Sequence, residues 1–217
     1  KGTGVKVRIK TPENITLVTA EQYANAAITA GVTDAEIEVA AVSKVTGESA
    51  LTGVYKAFEA NGVQLDAKRT EVAQQELEVT NKIAQENANQ KGFDSSKLDK
   101  AMIEIKKELA ELKQKQGQLA TKEDIERIIN EALKNNSLQN VISQDQINAL
   151  VAFAQNYQNT SAIDSKQVLE QLNSLSKSVG EKINSLVEQA KNEGWLDKIA
   201  QFFTSIFESI KNLFNQQ

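Results

Sequence analysis

The sequence predicts a small α/β unit followed by a mainly α-helical region, on three observations. Two strand signals, near residues 4–10 and 35–42, flank a helical pattern, which is the order of a βαβ unit. From about residue 66 the apolar residues recur at spacings of three and four, between capping signals. One proline and ten glycines in 217 residues leave few helix breakers. The expected division is an α/β unit over 1–65, a helical region packed on it over 66–194, and an amphipathic C-terminal helix over 195–217.

Taken in order, Gly4 to Lys10 alternates Val5, Val7 and Ile9 with Lys6, Arg8 and Lys10, the period of a strand with one solvated face. Pro12 ends it, and Thr19 is placed to cap a helix from about Ala20 to Ala30 that Gly31 closes. Ala35 to Val42 reads as a second, parallel strand whose later residues are apolar on both faces, as in a sheet interior. Leu51, Val54, Tyr55 and Phe58 then mark a helix from about Glu48 to Asn61, and another spans about Asp66 to Asn89. Leu98, Met102, Ile105, Leu109 and Leu112 form the seam of a helix that packs on one neighbour, bracketed by Gly92 and Gly117. Thr121 with Asp124, and Ser143 with Gln146, are capping boxes ahead of two further apolar stripes. A long helix from about Ile163 to Asn192 follows, interrupted only by Gly180.

Composition excludes several chemistries. There is no cysteine and no histidine, which removes disulfides, thiolate nucleophiles, Cys/His zinc sites and His-based triads. No cofactor or metal is implied. The 25 basic residues include only the three arginines Arg8, Arg69 and Arg127, and the net charge is -4, so nucleic-acid recognition is disfavoured. The N-terminus has neither a methionine nor a signal-peptide pattern and reads as processed or trimmed.

The loop VSKVTGESALTG, Val42 to Gly53, lies between the second strand and a helix start. Thr46, Gly47 and Ser49 are small enough to let an anion approach the unpaired N–H groups there. The loop lacks the Gly-Lys-Ser/Thr of a phosphate-binding loop and the G-x-G-x-x-G of a dinucleotide fold, and Glu48 would repel an anion. A capped turn is the preferred reading, with a small-ligand or anion-binding, even hydrolytic, site as the alternative. Near the C-terminus, Trp195, Phe202, Phe203, Phe207 and Phe214 belong to a wide apolar helical face. Standing free it would expose on the order of 1,000 Å², well above a tolerated patch. Docking on the chain's own helices is the first expectation, with a membrane surface or self-association as alternatives. Ser174 and Lys177 match S-x-x-K by chance inside a helix, Glu36 and Glu38 fit a solvated strand face, and the charge-rich run from Asp99 to Lys115 fits a solvated helix face.

Three stretches in order, Asn14 to Thr19 (NITLVT), Tyr23 to Val32 (YANAAITAGV) and Val45 to Glu59 (VTGESALTGVYKAFE), resemble the YpuA-like secreted proteins of Gram-positive Firmicutes, a family of unknown function. The resemblance covers roughly the first ninety residues. It implies an exported, cell-envelope-associated protein made with a signal peptide, and further sequence before the strand at Gly4 that would leave the sheet here incomplete. It supplies no catalytic residue. Together the residues and the resemblance favour a non-enzymatic interaction or structural module, whose partner would be an envelope component, a membrane surface or a second copy.

Overall fold

The computed structural model describes residues 4–192, with side-chain surroundings through Glu188. The chain divides into two compact units, residues 1–179 and 180–217. In the second, the described turns of helix expose Leu186 and Val187. The features below all lie in the first.

Strand β1 (Lys6–Ile9) pairs in parallel with β2 (Glu36–Val39), Val7 facing Ile37 and Ile9 facing Val39. Helix α1 (Ala20–Ala30) crosses between them, so the predicted βαβ unit is present. The alternation sorts the two faces. Ile37 and Val39 are buried, while Arg8 reaches Glu36 at 2.7 Å and Lys10 reaches Glu38 at 3.4 Å on the solvated face. Both strands are shorter than the sequence predicts. The ladder ends because side chains replace it: the Ala41 N–H donates to Thr11 Oγ1 at 2.8 Å and Asn14 Nδ2 donates to the Ala41 carbonyl at 2.7 Å. Val42, expected inside a sheet, is fully exposed, because among the described residues the sheet has two strands and β2 lies at its edge.

Helix α1 starts on a complete capping box between Thr19 and Gln22 and ends at Gly31, which adopts φ 104°. Its last carbonyls are taken up by Arg69, whose Nε donates to Thr29 O at 2.7 Å and whose terminal nitrogen donates to Ile28 O at 3.0 Å. Among the described residues seven α-helices follow the predicted order in broad outline: after α1 come α2 (Ser49–Ala60), α3 (Ala67–Asn87), α4 (Ser95–Gln116), α5 (Lys122–Asn135), α6 (Gln144–Gln158) and α7 (Lys166–Asn192). Both predicted capping boxes form, at Thr121 and Ser143. The long final helix does not run from Ile163. A 3-10 turn (Ser161–Asp164) precedes α7, which restarts where Ser165 Oγ accepts the Val168 N–H at 3.2 Å.

The core centres on α4. Its seam, Leu98, Met102, Ile105 and Leu109, is buried as expected, but so is a second stripe of Asp99, Ile103, Lys106 and Ala110. With two stripes the helix packs on α1, α3, α5 and α6 rather than on one neighbour.

All three tyrosines of the chain sit where ionisation is suppressed. Burial, then the Glu48 carboxylate, pushes Tyr23 up to about 12; burial, then Glu76, raises Tyr55 and Tyr157 further. A phenol whose pKa is raised by folding makes the native state hold more protons than the unfolded chain above pH 10.0, so stability falls as pH rises past that value. The slope is up to ~1.4 kcal/mol per pH unit for each tyrosine. Lys106 runs the other way. Its pKa is lowered by burial, against the pull of Glu76, so its contribution rises with pH only until the unfolded value of 10.5. Titration followed by tyrosinate absorbance near 295 nm is expected to show no native phase at pH 10, and to rise only together with loss of the circular-dichroism signal. A separate tyrosinate phase near pH 10 in the folded protein would contradict this burial.

Candidate functional site

Among the described residues β2 has one neighbour, and its other edge is unpaired there. In a parallel ladder, backbone groups alternate between the two sides of a strand. Lys6 N donates to Ala35 O and Lys10 N to Val39 O, both at 2.8 Å, which turns Ala35, Ile37 and Val39 toward β1. The N–H and C=O groups of Glu36, Glu38 and Ala40 therefore point to the open side. Among the described residues they make no hydrogen bond.

Beside that edge runs a groove of about 520 Å³, within the range of ligand-sized clefts, walled by residues 36–40 and by α2. Helix α2 supplies the groove because Ala50, Gly53 and Ala57, three small residues on adjoining turns, leave a trough along it, with Phe58 also in its lining. The same helix is poorly covered. Of its twelve residues only Leu51 and Val54 are buried, although Tyr55 and Phe58 belong to its apolar stripe. A helix with this pattern ordinarily buries the whole stripe.

The loop before α2 is built differently from the sequence expectation of a capped turn. Glu48 occupies the cap position in helical geometry and makes no capping bond. Its carboxylate instead accepts a hydrogen bond from Asn81 Nδ2 of α3. Gly47 is buried with φ 111°, and its carbonyl accepts from the Tyr23 hydroxyl at 2.5 Å, so this turn is clamped inward onto α1. Thr46 and Ser49 flank it in exposed positions. Trp195, Phe202, Phe203, Phe207 and Phe214 lie outside the described residues. Ser174 and Lys177 are exposed within α7.

Sequence reasoning missed a polar cluster in the core. Lys106 and Glu76, with side chains 0% and 2% exposed, pair at 2.7 Å. Lys106 Nζ also donates to Thr29 Oγ1 at 2.9 Å and to the Asn25 carbonyl at 3.1 Å. The Thr29 hydroxyl donates to the second Glu76 oxygen at 2.5 Å, and the Tyr157 ring lies 5.8 Å from the ammonium. Asp99, also buried, accepts from Thr19 Oγ1 at 2.9 Å and so ties α4 to the cap of α1. The sequence signal for both was the second stripe on α4, in which each stands in line with Ile103 and Ala110. A desolvated lysine beside a carboxylate and a tyrosine is a combination that active sites use. Here all three ammonium protons are engaged by Glu76, Thr29 and Asn25, and none of these residues lines the groove, so the cluster joins α1, α3 and α4 in the core.

Among the described residues no group of three or more His, Cys, Asp or Glu side chains is placed to hold a metal ion, and no helix is long and apolar enough to cross a membrane. The groove thus offers shape, apolar surface and a backbone edge rather than a constellation of reacting groups.

No solved structure matches the chain. An uncharacterized protein of Bacillus subtilis (strain 168), YpuA, is 33% identical over 218 residues, covering 99% of this chain and 67% of the relative. The profile of a family described as proteins of unknown function, DUF1002, matches residues 1–175, a span that holds the sheet, the groove and the buried cluster. The fold just described is therefore that of a member of the DUF1002 family, to which this chain belongs together with its YpuA-like relatives.

Proposed function

We propose that the chain is a non-enzymatic interaction module, exported and associated with the cell envelope, whose binding site is the groove between the open edge of β2 and α2. One observation carries the reading: a backbone edge that has no partner among the described residues lies alongside an apolar trough on a helix that buries only two of its residues. A polypeptide is the occupant that such a surface suits, because it alone brings backbone donors and acceptors together with apolar side chains. The absence of histidine and cysteine from the chain agrees with a binding role. The envelope location rests on the resemblance of the first ninety residues to secreted proteins.

The competing reading is an anion or small-ligand site at Thr46, Gly47 and Ser49. The two are separated by amide chemical shifts in the labelled chain, titrated in parallel with a mixed short-peptide library and with phosphate, nucleotides and cell-wall fragments. The expected result is that peptides move the amides of residues 36–40 and 50–58, while the anions move none. Shifts centred on Thr46 and Ser49 with phosphate, and none at the groove with peptides, would replace this reading with the other.

A further inference from the structure

We infer that Asn61 and Gly62 form a site of spontaneous covalent modification: the Gly62 backbone nitrogen displaces ammonia from the Asn61 side chain when the C-terminal turn of α2 opens, and the acidic product keeps that turn from closing.

This is the one Asn-Gly pair in the chain. Glycine hinders the reaction least, because no Cβ crowds the attacking nitrogen. Among the described residues nothing covers the pair: Asn61 and Gly62 are both exposed, and a Cβ built at Gly62 meets nothing within 4 Å. In the first step the Gly62 nitrogen bonds to Asn61 Cγ, the Cγ–Nδ2 bond breaks, and Nδ2 leaves as ammonia with the proton that the Gly62 nitrogen gives up. In the second, solvent water opens the resulting succinimide at either ring carbonyl. One opening gives aspartate, the other isoaspartate, in which the main chain runs through the side-chain carbons. Nothing is oxidised or reduced, and water is the sole co-reactant.

The closed turn holds the reaction back. Asn61 caps α2, and Gly62 at φ 79° completes a Schellman motif in which its N–H donates to Glu59 O at 2.9 Å and the Val63 N–H to Phe58 O at 3.0 Å. Asn61 Nδ2 donates to Ala57 O at 2.7 Å. Nucleophile and leaving group are thus both engaged, and Asn61, at ψ 14°, keeps the Gly62 nitrogen turned away from Cγ. Ring closure therefore waits for the turn to open. Its cover is thin: the two buried residues of α2, Leu51 and Val54, lie in the first half of the helix, while Glu59, Ala60, Asn61 and Gly62 are exposed. Few buried contacts and exposed hydrogen bonds are the marks of a segment that opens locally.

The product opposes reclosing. A carboxylate has no proton to donate to Ala57 O, and it adds charge to the helix end that is already negative. Isoaspartate also lengthens the main chain, which takes the Gly62 and Val63 amides out of register with their acceptors. Phe58, Asn61 and Val63 all line the groove, so the modification alters one of its walls.

The 217-residue chain is incubated at 37 °C and mildly alkaline pH, with and without urea. Peptide mapping by mass spectrometry reads the conversion and separates aspartate from isoaspartate, and hydrogen exchange reads the turn. The folded chain is expected to convert Asn61 to both products, at least threefold more slowly than the chain in urea. In the modified protein and in Asn61→Asp, the Gly62 and Val63 amides are expected to lose most of their protection, while the amides of α4 keep theirs. Conversion in urea with none in the folded chain would show that the turn does not open, and equal rates would show that it does not hold the reaction back. Unchanged protection at Gly62 and Val63 in both products would show that the turn recloses over the carboxylate. Any of these results would overturn the proposal.

Discussion

Lys106→Met is expected to lower the unfolding free energy by about 3–5 kcal/mol, the loss typical of removing one partner from a buried ion pair. The reason is the environment of what remains. Glu76 would keep the Thr29 hydroxyl at 2.5 Å but lose the ammonium at 2.7 Å, and at 2% exposure it has almost no water to replace it. Glu76→Leu leaves the lysine with Thr29 and Asn25 alone, and a comparable loss is expected. In the double variant no buried charge is left unpaired, and exchanging a buried pair for apolar residues of similar volume is often nearly neutral. Urea unfolding of the four proteins is therefore expected to give a strongly non-additive cycle, with the double variant recovering most of either single loss. Additive losses, or single variants within 1 kcal/mol of the parent, would show that the pair is not the lock that geometry makes it.

That cluster also marks where sequence reasoning stops. The elements with local causes were legible. Thr19 capped its helix, Thr121 and Ser143 formed their capping boxes, Gly31 and Gly117 closed their helices in left-handed geometry, and the alternation of β1 set the solvated face of the sheet. What failed depended on partners distant in sequence. Lys106 reads as one more charge on a charge-rich helix. Only the arrival of α1 and α3, with Glu76 thirty residues away and Thr29 seventy-seven away, makes it a core residue. The apolar run after Glu38 reads as a sheet interior because sequence cannot count strands. With β1 alone beside β2 among the described residues, the same residues stand at an edge and Val42 lies in solvent. The groove was illegible for the same reason. Ala50, Gly53 and Ala57 are unremarkable in a helix, and acquire meaning only beside an unpaired backbone edge.

Gly47→Val is expected to destabilise the fold by at least ~3 kcal/mol, through three effects that a second glycine separates. A β-branched residue at φ 111° is strained whatever surrounds it, and left-handed geometry alone costs about 1–2 kcal/mol. The added Cβ would lie 2.5 Å from the Tyr23 hydroxyl, 2.9 Å from Ile15 Cγ2 and 3.1 Å from Val18 Cβ, all in the buried sheet-to-α1 junction. Relieving that contact moves Tyr23 off the Gly47 carbonyl, which leaves a buried phenol and a buried carbonyl without each other. Gly62 has φ 79° and nothing within 4 Å of a built Cβ, so Gly62→Ala reports the backbone penalty alone. Gly47→Ala is expected to lose clearly more than Gly62→Ala, and part of the excess should disappear in a Tyr23→Phe background, where the nearest clashing atom is gone. Equal losses at the two glycines would mean that the turn is not clamped. The outcome bears on the anion reading too: because Gly47 is structural, a variant there that loses ligand binding says nothing about a site unless its fold is intact. Thr46→Ala and Ser49→Ala, at the exposed flanks of the same turn, are the substitutions that address binding without disturbing the clamp.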